Sequence, residues 1–329
     1  MDLLFLGTSS GVPIKQRNVT ALAVLPNGGK NWYLVDCGEG TQHQLLHTPL
    51  SVANLKAIFI THVHGDHCYG LIGLLAGASM SGRKKPLPII APQAIADWIR
   101  ITRELTQLYL PFELELIAVE ALPTWANAEV SVQPILLSHR VPSYAYQFIT
   151  APGAPRIDAQ KLLQEKIPQN QIWGQLQQGQ DVEHDGKILR SEDYLQPPRP
   201  GCKIVVGGDN DQPELLSQAC QGAQVLVHEA TYTAVDCAKV GPRGHSSAAQ
   251  VAAFAQAVAL PNLVLTHFSP RYHGDVGKPS SIAEIEQEAR AQYQGKLFLA
   301  EDFARYHLDG AGQLACCPAP GKHRTGLVL

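Results

Sequence analysis

The chain has 329 residues, 45% of them apolar and 17% charged, with a formal net charge of −3. It can bury a large core, holds no apolar run of the ~18 residues that a membrane span needs, and lacks the positive charge that would draw it to nucleic acid as a whole. The N-terminus (MDLLFLGTSS) has no basic flank of a signal peptide, and its cysteines (37, 68, 202, 220, 237, 316, 317) are scattered without a Cys-x-x-Cys; both features point to reduced thiols in the cytoplasm and to no membrane partner.

In chain order, strand-like apolar runs are predicted at Leu3–Leu6, Ala21–Leu25, Trp32–Val35, Ala57–Ile60, Leu87–Ile90, Val130–Leu137, Lys203–Val206, Gln224–Val227, Leu263–Leu265 and Lys296–Leu299. Helical periodicity is predicted over Tyr69–Met80, Ala94–Leu108, Glu214–Cys220, Ser247–Val258 and Ile282–Tyr293, with Ser246 and Ser247 available to cap the fourth. Strands interleaved with helices on this scale predict an α/β sandwich. One main domain is expected over 1–309. The stretch 151–201, rich in Gln, Pro and Gly and without a core pattern, interrupts it as an insertion. The segment 310–329 reads as a coreless, disordered tail.

The run His62-Val63-His64-Gly65-Asp66-His67 directly follows the apolar stretch that ends at Thr61. A strand end followed by a glycine-containing turn fans these side chains toward one point, where imidazoles and a carboxylate can hold a divalent cation and leave positions open for water. Other metal-capable groups also stand just beyond apolar runs: Asp36 after WYLV, His139 after the strand ending at Leu137, Asp209 after KIVVGG, His228 after QVLV and His267 after NLVLT. Singly, each reads as a structural histidine or a turn aspartate. Together they point to the crevice beyond the strand ends, where sites assemble in α/β sheets. Asp36 suits a supporting role, hydrogen-bonding a ligand imidazole. His43, His47, His184, His273, His307 and His323 fit no such convergence.

The chain resembles the metallo-β-lactamase superfamily and, within it, the ribonuclease Z family that matures tRNA 3′ ends. The resemblance rests on FLGTSSGVP, Pro13-Ile14-Lys15-Gln16-Arg17-Asn18, Asp36-Cys37-Gly38-Glu39-Gly40-Thr41-Gln42, the hexapeptide, His228-Glu229-Ala230-Thr231, Gly244-His245-Ser246-Ser247 and AEDF at 300–303. It departs from the family at Gly208-Asp209-Asn210, where Gly-Asp-Thr is usual, at His245-Ser246-Ser247, where His-Ser-Thr is usual, and in the arm near Pro168–Gly174. The resemblance implies an αββα sandwich with a protruding arm at 151–201 that grips tRNA, a homodimer, and two Zn²⁺ per chain. His62, His64 and His139 would hold one zinc, and Asp66, His67 and His267 the other, with Asp209 bridging.

Two cations ~3.5–4 Å apart would activate water and clamp phosphate oxygens. Asp66 would orient that water and take its proton, His245 would protonate the departing oxygen, and Glu229 would hold the tautomer of His245. Lys15 and Arg17 would meet phosphates of the acceptor stem; Arg83/Lys84/Lys85 and Arg100/Arg103 are further local basic groups. The expected activity is endonucleolytic removal of the 3′ trailer from precursor tRNA, leaving a tRNA 3′-hydroxyl. The alternative is a zinc phosphodiesterase acting on small diesters.

Overall fold

The computed structural model describes residues 1–317 apart from 27–28, 154, 199–200 and 276–278. It divides into two compact units, one formed by Met1–Ile149 with the chain from Lys203 onward, the other by Thr150–Cys202.

The larger unit carries two sheets. The first runs, edge to edge, through Leu314–Cys317, Arg305–Leu308, Asp2–Gly7, Ala21–Leu25, Trp32–Val35, Leu55–Phe59, Leu87–Ala91 and Leu114–Ala118. The second runs through Lys296–Leu299, Asn262–Thr266, Val225–Glu229, Lys203–Val206, Ser143–Thr150, Val130–Leu137 and Trp125–Ala126. Half of each sheet is parallel: Trp32–Val35 through Leu114–Ala118 in the first, Lys203–Val206 through Lys296–Leu299 in the second. Parallel strands are covered on both faces and so read as unbroken apolar runs. That is why WYLV, KIVV and NLVLT are legible in sequence.

Side-chain alternation along each strand divides the burial into three layers. Between the sheets, Tyr33 and Phe59 of the first meet Phe148 of the second, with Phe59–Phe148 centroids 5.2 Å apart and Tyr33–Phe148 centroids 6.2 Å apart. The Tyr146 hydroxyl donates across the layer to the Ile60 carbonyl at 2.7 Å. Leu4, Leu6, Leu34 and Ile58 instead face outward, under the helices Leu71–Met80 and Gln93–Thr106. Leu226, Leu263 and Leu265 do the same on the other side, under Ala248–Ala257 and Ile282–Gln292. Each such aliphatic or aromatic side chain stabilises the fold by about 1.5–3 kcal/mol. The result is the αββα sandwich that the resemblance implies. Among the described residues no helix is long and apolar enough to cross a membrane.

Several expectations need correction. Leu114–Ala118, Ser143–Thr150 and Arg305–Leu308 are strands without a predicted apolar run. In Ser143–Thr150 the buried Gln147 breaks the pattern, and its amide is satisfied by the Ala219 carbonyl at 2.7 Å. The tail is not coreless from 310. Leu314–Cys317 pairs antiparallel with Arg305–Leu308, its backbone groups satisfied by the neighbouring strand and Leu314 buried. Residues 318–329 lie outside the described residues. Of the two candidate helix caps, the Ser247 hydroxyl accepts from the Gln250 N–H, whereas the Ser246 hydroxyl donates to the Asn210 carbonyl at 2.6 Å.

The smaller unit is also better built than its composition suggests. It carries the helices Ala159–Gln164, Gln171–Gln177 and Ser191–Tyr194 and two short two-stranded pairings, Arg156–Ile157 with Leu195–Gln196 and Val182–His184 with Lys187–Leu189. Leu162, Ile167, Leu176, Leu189 and Tyr194 close a core of their own, with Ile157, Ile172, Trp173 and Val182 packed against it. These apolar residues are spaced too irregularly to read as one periodic element.

Candidate active site

The loops leaving the parallel strands carry the chemistry. Asp36 follows Trp32–Val35 and His267 follows Asn262–Thr266, and both adopt left-handed backbone, with φ of 60° and 57°. Such geometry costs a non-glycine residue of order 1–3 kcal/mol, and it persists where packing over-determines the conformation. Gly244 is also left-handed, and a Cβ there would lie 2.5 Å from His139 Nδ1, so this position excludes any side chain.

Two donor sets converge, and a third overlaps them. His62, His64, His139 and Asp209 form one, Asp66, His67 and His267 another, and Asp209, His245 and His267 the third. His64 Nδ1 lies 3.0 Å from His62 Nε2 and 3.2 Å from His139 Nε2. His67 Nε2 and His267 Nε2 are 3.2 Å apart, with Asp66 Oδ2 at 3.5 and 3.4 Å from them. Asp209 faces both sets. Its Oδ2 is 3.6 Å from His62 and 3.7 Å from His139, its Oδ1 3.5 Å from His67 and 3.3 Å from His267.

The far side of each ring decides what the near side can do. His67 Nδ1 meets Asp36 Oδ2 at 2.7 Å, and His139 Nδ1 meets the Gly244 carbonyl at 2.6 Å. Both partners only accept, so each Nδ1 carries the proton and each Nε2 presents a lone pair. Thr61 Oγ1 gives its proton to Asp36 and so accepts from His62 Nδ1 at 2.9 Å. Thr231 Oγ1 donates to Glu229 Oε2 at 2.5 Å and so accepts from His267 Nδ1 at 3.0 Å. With these tautomers, four imidazole Nε2 lone pairs and the oxygens of Asp66 and Asp209 face one another. Only positive charge satisfies such a cluster, and the N/O donors suit divalent cations of the zinc type.

Protonation equilibria agree. Burial, reinforced by the neighbouring imidazoles of His67 and His64, pushes His62 well below the usual histidine range, and burial lowers His64 and His139 too, which keeps these rings neutral. Burial would also lower His67, but Asp209, Asp36 and Asp66 hold it up at about 10. That pull is for a cation, and a bound metal would supply it in place of the proton.

His245 stands beside this cluster, stacked on His267 with 5.6 Å between centroids. Its Nδ1 meets Glu229 Oε1 at 3.0 Å. Glu229 is buried and saturated: Oε1 also accepts from the Asn210 and Ser246 N–H groups, and Oε2 from the Thr231 N–H and hydroxyl. Burial opposes its charge, yet His245 brings it down to about 2. Burial likewise opposes the His245 imidazolium, but Glu229 lifts it to about 9. His245 is therefore protonated at neutral pH, with Nε2–H as its uncommitted donor.

Lys15 is exposed and Arg17 is not equivalent to it. Arg17 Nη1 donates to the Tyr272 carbonyl at 3.0 Å, and its guanidinium lies over the Phe268 ring at 5.3 Å. It braces the loop from inside, with Nη1 committed to the protein. Arg83 is likewise spent, on the carbonyls of Val52, Lys85 and Pro86. The same loop is tied to the cluster by the Gly11 N–H, which donates to Asp66 Oδ2 at 2.7 Å.

Several supporting residues escaped the sequence reading. Thr61 and Thr231 set histidine tautomers. Asn210 bonds His228 Nε2 at 3.1 Å, which makes His228 a buried support rather than part of the donor sets. Asp302, pushed up by burial to about 6, accepts from the Thr8 hydroxyl and the Asn18 N–H and so anchors the N-terminal loop. Its place in AEDF was the only signal. None of the other histidines belongs to a donor set among the described residues, and His323 lies outside them.

The family model described as anti-Pycsar protein Apyc1 matches residues 1–102. Over 315 residues the chain is 54% identical to a protein of Pseudomonas putida (strain GB-1) named ribonuclease Z, covering 95% of this chain and 99% of that one. It is 51% identical over 317 residues to the ribonuclease Z of Marinobacter nauticus, covering 95% and 98%. Among solved structures it superimposes on human tRNase Z, short form, with a TM-score of 0.63 and 26% identity, covering 94% of this chain and all of that one.

Proposed function

The chain belongs to the ribonuclease Z family, and from that premise we propose that it is a zinc-dependent endoribonuclease that removes the 3′ trailer from precursor tRNA. The observation that carries the reading is the meeting of four imidazole Nε2 atoms with two aspartates, next to a protonated histidine. His62, His64 and His139 would hold one zinc and Asp66, His67 and His267 a second, with Asp209 offering one oxygen to each. When bound, the two ions supply charge neutralisation at the phosphate and a water acidified to react at neutral pH.

The chain's own residues do the rest. Asp66 would orient the attacking water and take its proton; His67 and His267 keep its carboxyl ionised well below the usual range despite burial, and the Gly11 N–H fixes Oδ2, the oxygen that faces both rings. His245 would give its Nε2 proton to the departing 3′-oxygen, leaving a 3′-hydroxyl on the tRNA. Glu229, bonded to Nδ1, holds the ring so that only Nε2 faces the reaction, making it a positioning residue. Lys15, exposed on a loop tied to Asp66, would meet a phosphate of the acceptor stem. The 150–202 unit, with its own core, would serve as the tRNA-gripping arm.

We further propose a cytoplasmic homodimer. Exposed Met80, Leu105 and Tyr109 lie on neighbouring segments joined by the Ser79 hydroxyl to the Tyr109 carbonyl at 3.1 Å, an apolar surface of the kind a second subunit covers.

The test is cleavage of a precursor tRNA with a 3′ trailer by the zinc-loaded protein, with the ends of both products mapped. A cut leaving a tRNA 3′-hydroxyl and a 5′-phosphate on the trailer is expected. Hydrolysis of small diesters without any cut in the tRNA would select the alternative, a phosphodiesterase of small substrates.

A further inference from the structure

Beside His245 the larger unit carries a cavity of about 380 Å³ that no step above uses. This is within the size range of sites that hold small organic groups. Its walls combine three kinds of surface. Ala238 and Cys237, on the helix Ala234–Val240, and Pro242 offer small apolar faces on which a flat ring can lie. Arg243, at the rim and exposed, donates Nε to the Val240 carbonyl at 3.4 Å, and its terminal nitrogens have no hydrogen-bond partner among the described residues. Asp211 supplies a carboxylate neither of whose oxygens has a hydrogen-bond partner among the described residues; Oδ1 is buried, and Oδ2 is left to accept from a donor in the cavity.

The cavity is continuous with the catalytic loop. The thiol of Cys237 donates to the His245 carbonyl at 3.9 Å, and the Gly244 carbonyl at the same wall holds His139 Nδ1. A ring seated here would lie on the His245 side of the centre. In the reaction proposed above, His245 protonates the 3′-oxygen of the nucleotide the tRNA keeps, so that nucleotide would be the one on this side.

We propose that this cavity is a base subsite for the nucleotide immediately 5′ of the cut. It takes a base with an exocyclic amino group, whose N–H meets Asp211, while Arg243 takes a phosphate. The assignment rests on the endonuclease reading, because the direction of the cut decides which nucleotide is involved.

The experiment is single-turnover cleavage of a precursor tRNA carrying A, G, C, U or an abasic ribose just before the cut, by wild type and by the variants Ala238→Leu and Asp211→Asn. Ala238 is an exposed helical position where leucine is a good helix former. Filling the cavity and removing the base should each lower kcat/KM by ~10-fold to ~10²-fold, and the two losses should not add. Wild type should cut A, G and C substrates faster than U, and Asp211→Asn should level that preference. Equal wild-type rates on all five substrates, or fully additive losses, would overturn the subsite and leave the endonuclease standing. No wild-type cut in any precursor would remove both. A second readout needs no turnover: alkylation of Cys237 by iodoacetamide, followed by peptide mass, should slow when the protein is saturated with a tRNA ending in a 3′-hydroxyl adenosine. An unchanged alkylation rate at saturation would also overturn the subsite.

Discussion

The donor cluster and the 150–202 unit are held together in different ways. His67 and His267 come from positions 200 residues apart and meet with 3.2 Å between ring nitrogens, each ring pinned on its far side by Asp36 or Thr231. The smaller unit closes on Leu162, Ile167, Leu176, Leu189 and Tyr194, all from one continuous stretch, and presents Leu163 and Ile188 to solvent. Chemistry on phosphate needs atoms fixed to a fraction of an ångström, so it is mounted on strand ends between two packed sheets. The substrate grip proposed for the smaller unit would need reach and surface, which a small self-contained core supplies.

The strongest way to break this contrast is to strip the metal. Chelation should abolish cleavage, and added Zn²⁺ should restore it; full activity in a protein shown to be metal-free would undo the proposal at its root. Next comes Asp66→Ala, expected to lower turnover by at least ~10³ with the circular dichroism spectrum retained. Substantial residual activity would take the water-orienting role from Asp66.

His245→Ala should cost ~10²–10⁴ in rate. The pH profile gives a finer test. His245 is raised to about 9, chiefly by Glu229 acting against burial, so the acid form prevails at neutral pH and is lost as pH rises through about 9. The rate should fall on that alkaline limb. Glu229→Gln removes the main upward influence, so the limb should move to lower pH; a limb that stays put would show that another group governs it.

Deletion of residues 156–196 addresses the other side of the contrast. It should lower kcat/KM on precursor tRNA by ~10-fold or more and leave hydrolysis of a small diester intact, since the donor sets lie wholly in the larger unit. The smallest effects separate Lys15 from Arg17. Lys15→Ala should weaken tRNA binding a few-fold and reduce its salt slope by about one. Arg17→Ala should instead lower the melting temperature, because it loses a backbone hydrogen bond and a contact with the Phe268 ring worth about 1–2 kcal/mol together.

The donor residues were legible because parallel strands are apolar throughout, so a polar group beyond the last apolar residue stands out. Less legible were the residues that complete the site through hydrogen bonds. Thr61 and Thr231 look like ordinary strand-end threonines, and Asn210 like a turn residue; only their partners show what they hold. Arg17 reads the same as Lys15 in its motif, and the Phe268 ring that covers it is far off in sequence. The small core of 150–202 was missed because its apolar residues follow neither a period of 2 nor one of 3.6.

What the chain specified on its own was the order of elements and the kinds of atom at their ends, since periodicity and side-chain chemistry are local properties. Only the folded arrangement decided which nitrogen of each imidazole faces inward, which cations are spent on the protein itself, and where a cavity opens beside His245. Those outcomes depend on distances between segments that the linear order leaves open, and they were settled by burial and by the partner each polar atom found there.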